Sequence, residues 1–203
     1  MTRGARTTVA TWPRLKERLH ASALPVGRAI ARLGVSANAL TLIGLALNIL
    51  AAGIVAAGGM TLGGAAFLLA SAFDALDGAV ARATGTASAF GAFLDSVMDR
   101  YSESAMFIGL LAVFASRQQL DVAVGCSVAL VGSLLVSYAR ARAEGLGVDC
   151  EVGLLQRPER VVLLAAGLLL ADVLLVPIIW LIAIVTNVTV VQRIVYVWRR
   201  LRV

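Results

Sequence analysis

Four aspartates, Asp74, Asp77, Asp95 and Asp99, and one arginine, Arg82, occupy the stretch DALDGAVARATGTASAFGAFLDSVMD, with apolar runs on either side. A carboxylate near the centre of a bilayer costs about 2.5 to 3.5 kcal/mol on insertion scales, so four cost roughly 10 kcal/mol if nothing offsets them. Asp74 and Asp77 are three residues apart, Asp95 and Asp99 four, so on helices each pair shares one face. The short intervening turn, ATGTAS, predicts two antiparallel helices that turn these pairs toward each other. Clustered carboxylates repel one another, and divalent cations resolve the repulsion. Oxygen ligands without neighbouring His or Cys favour magnesium or manganese over zinc. The chain's single histidine is His20, and its cysteines, Cys126 and Cys150, have no metal-ligand spacing. Gly78, Ala81 and Gly91 remove bulk beside the acids, and Arg82 can hold a phosphate with two hydrogen bonds. Metals, an arginine and small residues together describe a site for a phosphate-bearing nucleotide.

The elements that must carry these residues are helices in a membrane. Of 203 residues, 60% are hydrophobic and 15% charged, well above the apolar share of a soluble domain. Apolar runs of spanning length recur. They predict six transmembrane helices, at about residues 36–58, 60–83, 88–116, 120–144, 157–171 and 174–200. Ser36 or Asn38 can cap the first. Residues 1–34 read as a juxtamembrane amphipathic helix, with Trp12, Leu15 and Leu19 toward lipid and Arg14, Lys16 and Arg18 toward headgroups. No secretory signal is legible there. The fold class is an all-α integral membrane protein, with residues 1–203 forming one domain and 36–200 its bundle.

The formal net charge of +6 reports topology and anionic lipid rather than nucleic acid. The N-terminal segment, the turn after Arg82, the loop with Arg140, Arg142, Arg157 and Arg160, and the tail RRLRV are the basic flanks. An even number of spans puts all of them on one side. Both termini and the aspartates are therefore expected at the cytosolic side of the cell membrane.

Asp74, Asp77-Gly78, Ala81-Arg82, Gly91, Asp95 and Asp99 match every spacing of D-x2-D-G-x2-A-R-x8-G-x3-D-x3-D. The chain thus resembles the CDP-alcohol phosphotransferase family, and SANALT resembles the family's Pro-Asn-x-x-Thr segment with Ala37 in place of proline. The resemblance implies an enzyme of phospholipid biosynthesis that moves a phosphatidyl group from CDP-diacylglycerol to an alcohol and releases CMP. It implies two Mg2+ or Mn2+ ions on Asp74, Asp77, Asp95 and Asp99. It further implies a CDP-lipid site shaped by Asp77, Gly78, Ala81 and Arg82, Asp99 as ligand and general base, and a homodimer.

Basic residues beyond the motif speak to the acceptor. SYARARAEG, QRPER and the Gln-Arg of the last span hold Arg140, Arg157 and Arg193, more cationic surface than a neutral alcohol needs. These segments, with DRYSE after Asp99, look like those of actinobacterial phosphatidylinositol phosphate synthases. That resemblance implies inositol phosphate as acceptor, its phosphate held by Arg140, Arg157 and Arg193. The alternatives are the same chemistry on glycerol 3-phosphate or another polar alcohol, and a cation-translocating membrane protein. The latter accounts for the acids but not for Gly78, Ala81, Arg82 and Gly91. Arg199, Arg200 and Arg202 are expected as interface anchors. Arg142 and Arg160 are placed to pair with Glu144 and Glu159, Glu103 with an arginine, and Asn187 across helices. The small-residue run LGGAAFLLASA is suited to close helix contact.

Overall fold

The computed structural model describes residues 34–171 and 173–202, without the Ala75 side chain. The expected amphipathic segment, residues 1–34, lies outside the described residues apart from Gly34. Six helices follow in order: α1 (Ala37–Ala56), α2 (Met60–Thr84), α3 (Ala89–Ser116), α4 (Leu120–Glu144), α5 (Arg157–Leu169) and α6 (Leu175–Leu201). No strand occurs among the described residues.

Local chemistry sets the ends. Ser36 caps α1, its hydroxyl accepting from Ala39 N at 3.2 Å, so Ser36 rather than Asn38 takes this role. Gly85 ends α2 at φ 67°, a conformation that glycine adopts without penalty. Three residues on, Ser88 opens α3 by accepting from Gly91 N at 3.0 Å. Pro158 stands in the first turn of α5, where its missing N–H costs no helical bond.

α1, α2, α4 and α6 are long and apolar enough to cross a membrane. α3 carries Asp95, Asp99, Arg100 and Glu103, and α5 has only 13 residues, about 20 Å of helix against a hydrocarbon core of about 30 Å. Large apolar side chains such as Leu50, Leu69, Ile108 and Ile184 lie exposed on the outside, as a lipid-facing surface requires. The interior is filled by Val55, Phe67, Met106, Phe107, Leu110, Leu168 and Ile182.

Close packing depends on small residues. α1 packs against both α2 and α3, α4 against α3 and α6, and α5 against α2 and α6. At the α1–α2 contact a Cβ on Gly63 would lie 2.4 Å from Val55 Cγ2; at the α1–α3 contact one on Gly109 would lie 2.6 Å from the Ala52 carbonyl oxygen. Gly64 meets Leu168 of α5 in the same manner. Gly63 and Gly64 of the small-residue run are therefore engaged inside the protomer. α2 and α3 are not among the closely packed pairs. α1 docks on both through Gly63 of α2 and Gly109 of α3. The acidic pairs turn toward each other as expected, Asp74 and Asp99 meeting at Arg157 Nη2, without close backbone contact between their own helices.

Candidate active site

The first acidic pair is held from α1. Thr41 Oγ1 donates to Asp77 Oδ2 at 2.6 Å. Asn48 Nδ2 donates to Asp74 Oδ2 at 3.3 Å and to the Gly44 carbonyl oxygen at 3.0 Å. A Cβ on Gly44 would fall 1.9 Å from Asp74 Oδ1, so glycine is required for α1 to pass this close. Thr41, Gly44 and Asn48 follow the helical repeat and form one stripe. Sequence reasoning noted Thr41 only as part of SANALT, without a role in the site, and missed Gly44 and Asn48. The available signal was a row of polar and small residues on one face of an otherwise apolar span.

The second pair, Asp95 and Asp99, projects from α3, half-buried. Arg157, on the first turn of α5, joins the two helices. Its Nη2 lies 2.8 Å from Asp99 Oδ1 and 3.5 Å from Asp74 Oδ2. One guanidinium therefore answers the charge of carboxylates from both acidic helices. Among the described residues no three His, Cys, Asp or Glu side chains close around a single point; one carboxylate from each helix, Asp74 and Asp99, meets Arg157.

Chemically this donor set fits a hard divalent cation. It is built of oxygens alone, Asp74 and Asp99 already converge on one cationic nitrogen, and Thr41 and Asn48 orient the carboxylates as outer partners do in metal sites.

The expected nucleotide-side residues lie together on α2. A Cβ on residue 78 would come within 3.1 Å of Arg82 Nη1, so the arginine folds back over the glycine one turn earlier. Arg82 is exposed and Ala81 half-buried. Gly91 sits near Ser88 Oγ and Asn38 Oδ1, beside the first turn of α1.

A cavity of about 1110 Å3 opens beside the second pair. Asp95 and Asp99 line it, as do Arg140, Arg157 and Arg193, which brings the three expected acceptor arginines to one space from three helices. They are not equivalent. Arg140 is half-buried and pairs with Glu144 at 2.8 Å, with Glu151 at 4.0 Å. Arg193 is 2% exposed. Its Nε donates to the Val152 carbonyl at 2.9 Å and Nη1 donates to that of Val136, so it also fastens the 145–156 loop to α4 and α6. Arg157 keeps a buried Nε with no partner among the described residues.

Several pairings differ from expectation. Glu144 is taken by Arg140, not Arg142, because four residues along a helix is one turn. Arg160 pairs with Glu103 rather than Glu159, through Nε–Oε1 at 2.6 Å and Nη2–Oε2 at 2.8 Å; Glu103 is thus in an ion pair, as expected. Asn187 donates chiefly along its own helix, to Ala183 at 2.8 Å, with a weaker 3.5 Å contact to Val128 of α4. In the tail, Arg200 and Arg202 stack on Tyr196 and Trp198, as side chains at a membrane interface do.

Comparison with known proteins bears on this site. A family model described as CDP-alcohol phosphatidyltransferase matches residues 34–196. An archaetidylinositol phosphate synthase from Methanothermobacter thermautotrophicus is 41% identical over 176 residues, covering 84% of this chain and 87% of that one. A phosphatidylinositol phosphate synthase from Mycobacteroides abscessus is 35% identical over 150 residues, 72% of this chain and 68% of that one. The Mycobacterium tuberculosis phosphatidylinositol phosphate synthase has been solved with CDP-DAG bound, at TM-score 0.83 and 31% identity over 87% of this chain and 93% of that one. It has also been solved with manganese and citrate, at TM-score 0.83 and 32% identity over 87% and 88%.

Proposed function

The chain belongs to the CDP-alcohol phosphatidyltransferase family, and from that premise we propose that it transfers a phosphatidyl-type group from CDP-diacylglycerol to a hydroxyl of inositol phosphate. CMP leaves and phosphatidylinositol phosphate forms. The observation that carries the acceptor assignment is the cavity in which Asp95 and Asp99 share one space with Arg140, Arg157 and Arg193. An acceptor that brings its own phosphate meets the arginines while its hydroxyl is presented to the acids. The names of the relatives agree on an inositol phosphate product and divide between archaetidyl and phosphatidyl lipids.

In this reading each side chain has a task. Asp99 accepts the proton of the attacking hydroxyl. The new bond runs from that oxygen to the lipid-side phosphorus, and the bond to the CMP oxygen breaks. Arg157 and Arg193, with Arg140 at the rim, hold the acceptor phosphate. Arg82 holds the nucleotide phosphates over Gly78, with Ala81 leaving room. Asp74, Asp77, Asp95 and Asp99 are the residues that would hold two Mg2+ or Mn2+ ions. When bound, these ions neutralise pyrophosphate and leaving-group charge.

The membrane arrangement belongs to the same proposal. Six helices cross the cell membrane, with both termini and the active site cytosolic. Asp95, Asp99 and Arg100 of α3 line the cavity and Glu103 is paired with Arg160 inside the bundle, so α3 keeps these charges away from lipid. A homodimer follows from the family resemblance.

An acceptor screen tests the proposal. Purified protein with CDP-diacylglycerol and magnesium is offered inositol phosphate, inositol, glycerol 3-phosphate and serine in turn, and CMP release is measured. Inositol phosphate is expected to be the best acceptor by at least tenfold in kcat/KM. Faster turnover of glycerol 3-phosphate or free inositol overturns the acceptor assignment, and no release with any acceptor overturns the activity.

A further inference from the structure

α3 and α5 carry the two walls of the acceptor cavity, yet α5 packs against α2 and α6, and α3 is not among its close helix partners. What ties the walls together is a pair of ionic rungs. Asp99 and Glu103 stand one turn apart on α3, and Arg157 and Arg160 one turn apart on α5. Arg157 meets Asp99 at 2.8 Å and Arg160 meets Glu103 through two parallel bonds.

The two rungs differ in environment. Arg157 has 29% of its side chain exposed and Asp99 15%, whereas Arg160 is 2% exposed and Glu103 5%. Arg160 Nη1 additionally donates to the Leu155 carbonyl at 3.3 Å, which clamps the last turn of the loop ahead of α5. The inner rung is therefore a fork-to-fork lock with planar geometry, closed to solvent. A buried pair of this kind is weak evidence for stability, because apolar residues of similar volume often do as well, and its best-attested use is to fix register.

Resting on the proposed transferase reading, we infer that Glu103 and Arg160 are positioning residues for the acceptor. Their bidentate bond sets the height of the α5 N-terminus against α3, and so the separation between Arg157, which takes the acceptor phosphate, and Asp99, which takes the hydroxyl proton. Phosphate and hydroxyl of one small acceptor must meet those two groups together. A shift of about 1 Å in such a register costs on the order of 100-fold in rate. The nucleotide-side residues Gly78, Ala81 and Arg82 lie on α2 and take part in neither rung.

The test separates positioning from plain stability. The double replacement Glu103→Leu with Arg160→Met removes the charges while keeping bulk. It is expected to stay folded, with a Tm within a few degrees of wild type and a KM for CDP-diacylglycerol within about twofold. The KM for inositol phosphate should rise about tenfold or more. Arg160→Lys, which keeps the charge and loses the fork, should show the same one-sided rise to a smaller degree. An unchanged acceptor KM in a folded double variant overturns the inference and leaves the pair a packing element. If the double variant does not fold, Arg160→Lys decides by the same split, and equal shifts in both KM values overturn it. The wild-type acceptor screen judges the underlying reading independently of these variants.

Discussion

Arg157 on α5 reaches Asp99 on α3 at 2.8 Å, and the same nitrogen lies 3.5 Å from Asp74 on α2. This guanidinium thus belongs to the acidic centre as much as to the acceptor cavity. Arg157→Ala is expected to raise the KM for inositol phosphate 10- to 100-fold, the loss of one charge-assisted hydrogen bond of roughly 1.5 to 3 kcal/mol. Because Asp99 and Asp74 lose a counter-charge, kcat should fall as well. Steady-state kinetics with both substrates varied checks this; an unchanged KM and kcat would return Arg157 to the role of a topological anchor.

Arg82→Ala should show the opposite selectivity. Its guanidinium folds over Gly78 on α2, and the acceptor cavity is not lined by it. The expected outcome is a KM for CDP-diacylglycerol raised about tenfold or more, by the same hydrogen-bond arithmetic, with the acceptor KM nearly unchanged. A shift confined to the acceptor contradicts the assignment.

Chelation should abolish turnover, and magnesium or manganese should restore it. Asp74→Asn, Asp77→Asn, Asp95→Asn and Asp99→Asn should each remove transfer, since an amide carries no compensating charge. Asp99→Asn is set apart by its proposed role as base: it should still bind the CDP-lipid while chemistry is lost. Calorimetric titration with the CDP-lipid and single-turnover CMP release distinguish the two effects. Full turnover in chelator with no metal retained would end the metal assignment.

Thr41 and Gly44 supply a check on the α1 stripe. Thr41→Val removes the hydroxyl that bonds Asp77 at 2.6 Å. The divalent concentration for half-maximal activity should rise about 10- to 100-fold, as for other outer partners of metal ligands. Thr41→Ser, which keeps the hydroxyl, should restore it. Gly44→Ala places a methyl 1.9 Å from Asp74 Oδ1 and should cost about 1 to 3 kcal/mol of stability, read as a lowered Tm together with lost activity. A Gly44→Ala protein of wild-type Tm and activity would show that α1 can yield at this crossing.

The sequence by itself determined where the helices run and which face each acidic pair occupies. Apolar run length and capping chemistry place the six helices within a few residues, down to Leu120–Glu144, because helix termini are local decisions. The spacing of Asp74 with Asp77 and of Asp95 with Asp99 likewise ensures that each pair shares a face. That arginines would gather near the acids was legible from charge alone. Which arginine meets which acid was not. Arg160 finds Glu103 at a separation of 57 residues, passing over Glu159 beside it, and Arg157 finds Asp74 at a separation of 83. Such partners depend on how closely helices approach, and that distance is set by cross-helix contacts at Gly44, Gly63, Gly64 and Gly109. The same contacts seat α1 against both α2 and α3, which turns an apparently plain apolar span into the support of the first acidic pair. Local periodicity names the face a residue occupies. Only the packed bundle decides what stands opposite it.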